Sequence, residues 1–277
     1  TILPPFTLAE SLESTKIHSV AGKLGADSAL LARRPFRAPH HTTSDVALVG
    51  GGTFPQPGEV SLAHNGVLFL DELAEFKRNV LEVMRQPLEE RYITVSRAKL
   101  SVQFPANFML IASMNPCPCG FYNHPDKECF CGPQVVRRYL GRVSGPLLDR
   151  IDIHLEVTPV KFDALVARPR GESSADVRAR VIAARERQQK RFENWPGIHS
   201  NAMMPPKMVR EVCQIDKECQ DLLQKAMDIL GFSARAFDRI LKVSRTIADI
   251  EDCPLILPQH VAEAIHYRNL DREKWAG

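Results

Sequence analysis

Two short apolar runs in the first half of the chain do not alternate with polar residues. The first, Gly66–Leu70, is followed directly by Asp71 and Glu72. The second, Phe108–Ser113, ends shortly before Asn115. Such runs are typical of central strands in a parallel sheet, which are buried on both faces. Because the carboxyl ends of parallel strands meet at one edge, the pattern predicts that Asp71, Glu72 and Asn115 lie together there.

Two further patterns predict strands. Residues 151–157 alternate apolar and polar side chains, as an edge strand would. Residues 91–95 and 100–104 are rich in β-branched and aromatic side chains and flank a polar turn, which predicts a hairpin over 91–104. The first half of the chain is therefore expected to be an α/β unit.

The second half has helical periodicity. Pro, Gly and Ser between 167 and 174 are typical of a linker, and Ser174 is a suitable cap for the helix that follows. The spacing of apolar residues predicts helices over about 175–193, 206–214, 216–230, 233–249 and 258–268. The chain thus divides into an α/β core over 1–165 and an all-helical region over 172–277.

Composition fits an ordinary globular protein. The 277 residues are 44% hydrophobic and 25% charged, with a net charge of +3. That charge is too small to predict nucleic-acid binding, although basic residues cluster locally. No apolar segment approaches the ~20 residues that span a bilayer, and no signal peptide is visible, so the cytoplasm is the expected location and no membrane partner is expected.

The run that ends in Asp71 and Glu72 resembles a Walker B motif. Asp71 would then hold the water shell of Mg²⁺, and Glu72 would orient and deprotonate an attacking water. The alternative is an ordinary strand end followed by an acidic helix start. Two other motifs favour the first interpretation: Asn115 resembles the sensor 1 residue of AAA+ ATPases, and Arg150 in Leu147–Arg150 resembles their arginine finger.

The resemblance is closer to the magnesium-chelatase-like AAA+ ATPases of the ComM competence type, and it extends along essentially the whole chain. The segments that carry it are 34–42, 50–53, 57–64, 115–120 and 267–272. Arg235, at a predicted helix start where the helix dipole disfavours a cation, resembles sensor 2. The alternative for Arg235 is a surface arginine paired with Asp238 or Glu251.

The resemblance implies an α/β AAA+ core followed by a helical lid, in a homo-hexameric motor. Such a motor hydrolyses ATP with Mg²⁺ to remodel DNA, as in branch migration during natural transformation. Asp71 would organise the metal, Glu72 and Asn115 would act on the attacking water, Arg150 would reach the neighbouring subunit's nucleotide, and Arg235 would couple nucleotide state to the lid. Two alternatives remain: a chelatase-like subunit that remodels a protein partner, and a non-hydrolysing scaffold.

One family motif is missing. No stretch of the chain matches the P-loop G-x-x-x-x-G-K-[ST], whose backbone and lysine hold the phosphates. The chain also begins at Thr1, in a segment that lies shortly after the P-loop helix in the family. We therefore expect a piece of a longer protein that binds ATP poorly by itself, with a core that is truncated relative to the family.

Two segments are candidate pore elements by resemblance. The hairpin over 91–104 resembles the pre-sensor-1 hairpin, whose tip residues Arg97 and Lys99 would contact DNA phosphates without reading sequence. The alternative is a solvated turn that carries two cations. Residues 34–64 resemble the helix 2 insertion. The paired His40 and His41 in that segment are interpreted as polar loop residues, because adjacent positions rarely converge on one metal ion.

Four of the seven cysteines form two Cys-x-Cys pairs within residues 117–131. Cys117, Cys119, Cys129 and Cys131 have the residue type and number of a tetrahedral Zn²⁺ site, with His124 as a spare ligand. The alternatives are free thiols or an oxidation-prone loop. The remaining cysteines are expected to pack as small apolar side chains; they are Cys213, Cys219 and Cys253.

Overall fold

The computed structural model describes residues 1–25, 29–97, 100–160 and 171–268, with the backbone but not the side chain of Arg97. Contacts divide the chain into two compact units. Among the described residues, one unit is Pro5–Ile151, and the other comprises Thr1–Pro4 together with the residues from Asp152 to Arg268. Each unit is described by itself.

In chain order, the described elements of the first unit are α1 Leu8–Val20, β1 Phe36–Arg37, α2 Asp45–Val49, β2 Gly50–Gly51, β3 Gln56–Pro57, α3 Glu59–Leu62, β4 Val67–Leu70, a 3₁₀ turn Leu73–Glu75, α4 Arg78–Glu82, α5 Arg85–Glu90, β5 Tyr92–Arg97, β6 Leu100–Pro105, β7 Met109–Ala112, α6 Pro133–Leu140 and α7 Gly145–Leu148. Those of the second unit are α8 Ser174–Arg191, a 3₁₀ turn Asn201–Met203, α9 Pro206–Val212, α10 Lys217–Leu230, α11 Ala234–Ile250 and α12 Pro258–His266.

A parallel sheet in the order β1–β4–β7 organises the first unit. The central strand β4 pairs with β7 from Val67↔Met109 to Leu70↔Ala112, and with the short strand β1 at Phe36↔Val67. The predicted apolar strands therefore form, and they run parallel. Sequence patterns missed β1, because two residues are too few to show periodicity.

The core of the first unit lies around β4. Leu68 and Leu70 are fully buried, as expected for a strand covered on both faces. Phe76, after the 3₁₀ turn, is also buried and belongs to the same cluster. By contrast, Met109 and Ile111 of β7 are nearly half exposed, because no strand lies on the outer side of β7 in the described residues. The second apolar run is thus an edge strand among the described residues.

The predicted strand over 151–157 is wrong. None of these residues pairs with another strand in the described part of the chain, and Leu155 and Val157 are exposed. The His154 N–H instead donates to the Tyr267 carbonyl near the end of the described chain. An alternating pattern forms a strand only when another strand lies beside it, and the described residues supply no partner strand for 151–157.

The predicted hairpin does form. Strands β5 and β6 pair antiparallel from Tyr92↔Pro105 to Arg97↔Leu100, and Ile93 and Val95 face the core. The tip lies outside the described residues, so Lys99 and the Arg97 side chain are not placed.

The second unit is helical, with α8 to α12 close to their predicted spans. Helix α8 is capped by Ser173, one residue before the predicted cap, since the Ser173 hydroxyl accepts the Asp176 N–H at 3.2 Å. Apolar side chains from α9 to α12 pack in one core, which includes Val209, Leu223 and Ile240. No helix in the described part of the chain combines the length and apolar character needed to cross a bilayer.

Candidate active site and cysteine cluster

The carboxyl ends of β4 and β7 bring Asp71 and Ser113 together. The Ser113 hydroxyl donates to Asp71 Oδ1, which also accepts the Glu72 N–H at 3.0 Å. The register explains this contact, because Leu70 and Ala112 are partners and the next residue of each strand leaves the sheet at the same edge. Two donors therefore fix one carboxylate oxygen of Asp71. A carboxylate at an exposed sheet edge is a suitable ligand for Mg²⁺ or for its water shell.

Glu72 occupies a left-handed backbone conformation, with φ 53° and ψ 48°. For a residue with a Cβ this conformation costs roughly 1–2 kcal/mol. It turns the chain from β4 into the 3₁₀ turn, where the Leu73 N–H donates to the Ser113 carbonyl at 2.9 Å. Residues held in such conformations cluster at functional sites, so the backbone itself marks this position.

The Glu72 carboxylate contacts a histidine. His41 Nδ1 lies 3.0 Å from Glu72 Oε2. The His41 ring also meets the Phe76 ring edge-on, with centroids 6.4 Å apart, and lies 4.0 Å from the His40 ring. The sequence interpretation of His41 as a polar loop residue missed this contact, because nothing in the sequence relates residue 41 to residue 72.

Asn115 follows β7 by three residues and is exposed. Its side chain makes no hydrogen bond within the described residues, so the carboxamide is available to a ligand. Asp71, Glu72 and Asn115 all follow strands at the same edge of the sheet, as their spacing predicted.

Arg150 is buried, with its side chain 8% exposed. Its Nη1 donates to the Pro146 carbonyl at 2.6 Å, and its Nη2 pairs with the Glu89 carboxylate on α5. The sequence pointed to no such partner. In this conformation the guanidinium is held within its own unit.

Arg235 lies in the first turn of α11 and is exposed. Ser233 caps that helix through a hydrogen bond from the Ala236 N–H at 3.3 Å. Glu251, which the sequence offers as a possible partner of Arg235, accepts a hydrogen bond from His260 Nε2 at 3.0 Å.

The four cysteines of residues 117–131 converge. Their sulfur atoms lie within 4.8 Å of one another, and three separations are 3.4 Å (Cys117–Cys119), 3.6 Å (Cys119–Cys129) and 3.7 Å (Cys117–Cys129). Four sulfurs at about 2.3 Å from a tetrahedral Zn²⁺ would be about 3.8 Å apart. The Tyr122 N–H donates to Cys117 Sγ at 3.3 Å, as outer-shell donors do in metal–thiolate sites. The cluster can therefore hold a metal ion.

The pKa values of Cys119 and Cys129 are shifted in opposite directions. A hydrogen bond from the Phe121 backbone, aided by the neighbouring thiols, lowers the pKa of Cys119 to about 6. A backbone hydrogen bond from Cys131 lowers the pKa of Cys129, but burial and the neighbouring thiols outweigh it and raise that pKa to about 12. The raised pKa values of Cys129 and Cys131 disfavour ionisation of these two thiols.

Gly66, directly before β4, lies very close to Pro35, directly before β1. A Cβ on Gly66 would lie 2.0 Å from the Pro35 carbonyl oxygen, which accepts the Val67 N–H at 2.9 Å. Only glycine permits this contact without displacing β1 from β4.

The parallel sheet, the Asp–Glu pair at its edge and the following helical unit define an α/β module of the AAA+ type. The chain belongs to the magnesium chelatase ChlI family. The family model for magnesium chelatase subunit ChlI matches residues 1–165, and the model for its C-terminal region matches residues 171–268.

Individual relatives agree with this assignment. Competence protein ComM of Haemophilus influenzae is 46% identical over 273 residues, and YifB of Escherichia coli is 44% identical over 273 residues; each alignment covers 98% of this chain and 52% of the relative. Magnesium-chelatase subunit ChlI of Mesostigma viride is 24% identical over 213 residues, 76% of this chain and 51% of that protein. The chain spans about half the length of the curated relatives it matches.

Proposed function

We propose that the complete protein is an ATP-hydrolysing motor that remodels DNA and that this chain supplies the acidic side of its nucleotide site. The single observation that carries the proposal is the contact of Asp71 with Ser113 at the carboxyl ends of β4 and β7, the edge that Glu72 and Asn115 also follow. Residues 1–165 would be the AAA+ core and residues 172–277 the lid.

Each residue of this edge has a distinct task. Ser113 fixes one oxygen of Asp71, and the other oxygen would hold the water shell of Mg²⁺. Glu72 would accept the proton of the attacking water, and the Asn115 carboxamide would orient that water. Bound ATP supplies the phosphoryl group, and Mg²⁺ neutralises charge on it. No P-loop occurs among the 277 residues, so the proposal concerns the complete protein.

Two arginines would complete the site in a homo-hexamer. Arg150 would neutralise developing charge on the neighbouring subunit's nucleotide, a role worth roughly 10³ to 10⁵ in rate for arginine fingers. To do so it must leave Glu89. Arg235, exposed at the start of α11, would link the lid to the nucleotide's phosphates.

Sequence-independent DNA binding is the second part of the proposal. It is supported by similarity to a protein named for competence, and by a hairpin whose turn carries Arg97 and Lys99. Cations at a loop tip would contact phosphates and give salt-sensitive binding. A cytoplasmic location follows from a role on DNA.

The test is ATP hydrolysis by the complete protein with and without forked DNA. We expect DNA to stimulate hydrolysis, and Glu72→Gln to abolish both rates. Hydrolysis that DNA leaves unchanged would favour remodelling of a protein partner, and a complete protein without hydrolysis would favour a scaffold. Either result would overturn the proposed DNA motor.

We also propose that the cysteine cluster holds a structural Zn²⁺. The sulfur separations of 3.4–3.7 Å among Cys117, Cys119 and Cys129 support this, because they are close to the about 3.8 Å expected for a tetrahedral thiolate site. The loop runs between β7 and α6, and Phe130 within it is 84% exposed, so apolar packing contributes little to its shape. A bound ion would fix the loop that follows Asn115.

Elemental analysis of protein purified without chelators tests the zinc site. We expect one zinc per chain, and almost none in a Cys119→Ser, Cys131→Ser double variant. Cys213→Ser, which changes a buried cysteine of the helical unit, is the matched control and should retain the metal. A zinc-free wild-type protein would remove the proposal.

A further inference from the structure

Arg142, two residues after the end of α6, contacts the turn that follows Glu72. Its Nη1 donates to the Ala74 carbonyl at 3.0 Å and to Glu75 Oε2 at 2.8 Å. Ala74 is fully buried, so the guanidinium reaches backbone inside the 3₁₀ turn. The contact with Ala74 joins residues 68 positions apart and ties the end of α6 to the acidic edge.

The backbone at the start of this turn needs support. Glu72 is in the left-handed conformation, with φ 53°. A residue in such a conformation persists only where the surrounding structure over-determines it. One restraint is the Leu73 N–H, which donates to the Ser113 carbonyl at 2.9 Å, and Arg142 supplies another at the next residue. Arg142 therefore acts on the placement of Glu72 through the backbone.

Helix α6 begins directly after the cysteine loop. Only Gly132 separates the last cysteine of the cluster from the helix. A helix of 8 residues is not stable by itself in water, so its position depends on the structure around it. Among the described residues, its buried side chains lie outside the apolar core around β4; they are Val136, Tyr139 and Leu140. The loop attached to the start of α6 therefore contributes to where the helix lies.

Tyr139 of α6 is close to both the cysteine cluster and the acidic edge. Burial raises the pKa of its hydroxyl, and the negative charge of Glu75 raises it further while Arg142 opposes the rise. Cys117 and Glu72 also raise this pKa, as groups at short range do. The Arg142 guanidinium lies over the Tyr139 ring, 5.7 Å from its centroid. A shift of the cysteine loop would therefore move the ring that supports Arg142.

We propose that Arg142 is a positioning residue for Glu72 and that the metal ion of the cysteine cluster keeps it in place through α6. Without the ion, the loop and α6 relax and the contact with Ala74 weakens. Hydrolysis then slows while ATP binding is unchanged, so the metal site controls turnover of the motor. This inference rests on the proposed function and on the proposed metal site.

The test measures single-turnover ATP hydrolysis, ATP affinity and zinc content in variants of the complete protein. Arg142→Ala should keep its zinc and its ATP affinity while hydrolysis falls roughly tenfold, since a hydrogen bond from a charged group is worth about that factor. Arg142→Lys should recover part of the rate, because its ammonium is also a donor although it lacks the planar fork of arginine. Arg138→Ala, at an exposed arginine of α6, is the matched control and should behave as wild type. Glu75→Gln leaves the Ala74 carbonyl and an acceptor oxygen in place, so it should also hydrolyse ATP normally.

Combined variants test the link between the metal and Arg142. The Cys119→Ser, Cys131→Ser double variant should lose its zinc and hydrolyse ATP roughly tenfold more slowly, with unchanged ATP affinity. Adding Arg142→Ala to it should cause no further fall, because both changes remove the same contact and such changes do not add. A triple variant about 100-fold slower than wild type, the result of two independent effects, would overturn the link.

The outcomes separate this inference from the proposals on which it rests. A wild-type rate in Arg142→Ala, or weaker ATP binding at an unchanged rate, would overturn the positioning role. A wild-type rate in the zinc-free double variant would overturn the metal dependence, and a zinc-free wild-type protein would overturn the metal site together with it. If Glu72→Gln retains hydrolysis, the proposed function fails whatever Arg142 does.

Discussion

Replacement of Asp249 by Asn should strongly destabilise the helical unit. The Asp249 carboxylate is 1% exposed and accepts from Arg191 Nη2 at 2.5 Å and Nη1 at 2.7 Å. It also accepts from Asn201 Nδ2 at 2.7 Å and from Arg245 Nε at 3.2 Å. Breaking a buried ion pair by neutralising one partner costs about 3–5 kcal/mol, because the other charge remains buried. Arg245, whose charge would lose its partner, is only 4% exposed, so the cost of about 3–5 kcal/mol for a buried pair applies.

Urea unfolding monitored by far-UV circular dichroism measures this loss at neutral pH. With an m-value of about 2 kcal/mol/M, the midpoint should fall by roughly 2 M. Asp252→Asn is the matched control: Asp252 pairs with Arg187 but is 75% exposed, and exposed pairs are worth at most about 1 kcal/mol. Equal shifts in the two variants would refute the reasoning. Because Asp249 and Arg235 share α11, the same variant should also loosen the helix proposed to contact nucleotide.

The same carboxylate predicts a pH dependence. Burial raises the pKa of Asp249, but hydrogen bonds from Arg191 and Asn201 outweigh burial and hold it below the ordinary value of 3.8. A depressed folded-state pKa contributes stability above the unfolded value and loses it as pH falls through the folded value. The stability difference between wild type and Asp249→Asn should therefore be constant near neutrality and shrink below pH 3.8. A difference that grows on acidification would contradict the assignment.

Three further predictions concern the first unit. Gly66→Ala should lower the free energy of unfolding by roughly 1–3 kcal/mol, because its Cβ meets a carbonyl oxygen at 2.0 Å, whereas Gly145→Ala, with nothing within 4 Å, should be nearly neutral in the same urea titration. Glu89→Ala should cost about 1–3 kcal/mol by urea unfolding, less than a fully buried pair, because Glu89 is 44% exposed although Arg150 is buried; an unchanged midpoint would contradict it. Ser113→Ala should raise the Mg²⁺ concentration needed for half-maximal hydrolysis by the complete protein, and Ser113→Thr should restore it; equal Mg²⁺ dependence in all three proteins would contradict the role of the hydroxyl.

Sequence patterns correctly predicted the strands and helices whose residues show a clear hydrophobic pattern. The apolar runs of β4 and β7, the hairpin β5–β6 and the helices of the second unit all form near their predicted positions. Strand formation also needs a partner, which a pattern does not contain. For that reason residues 151–157 were predicted wrongly. Strand β1 was missed because two residues are too few to show periodicity.

At the candidate site, the sequence predicted residues but not their partners. Asp71, Glu72 and Asn115 lie at one edge because parallel strands bring their carboxyl ends together. The contacts of Glu72 with His41 and of Arg150 with Glu89 join residues 31 and 61 positions apart, and side-chain packing determines them. The cysteine spacing indicated a possible metal site, but only the loop conformation brings the four sulfur atoms together.

Single-turnover ATP hydrolysis by the complete protein tests the central claim most directly, with ATP binding measured in parallel. A general base contributes about 10² to 10⁴ in rate, so Glu72→Gln should bind ATP as wild type does while hydrolysis falls at least about 100-fold. Glu75→Gln, which changes the neighbouring carboxylate that pairs with Arg142, is the matched control and should hydrolyse ATP normally. Hydrolysis by Glu72→Gln at the wild-type rate would contradict the account.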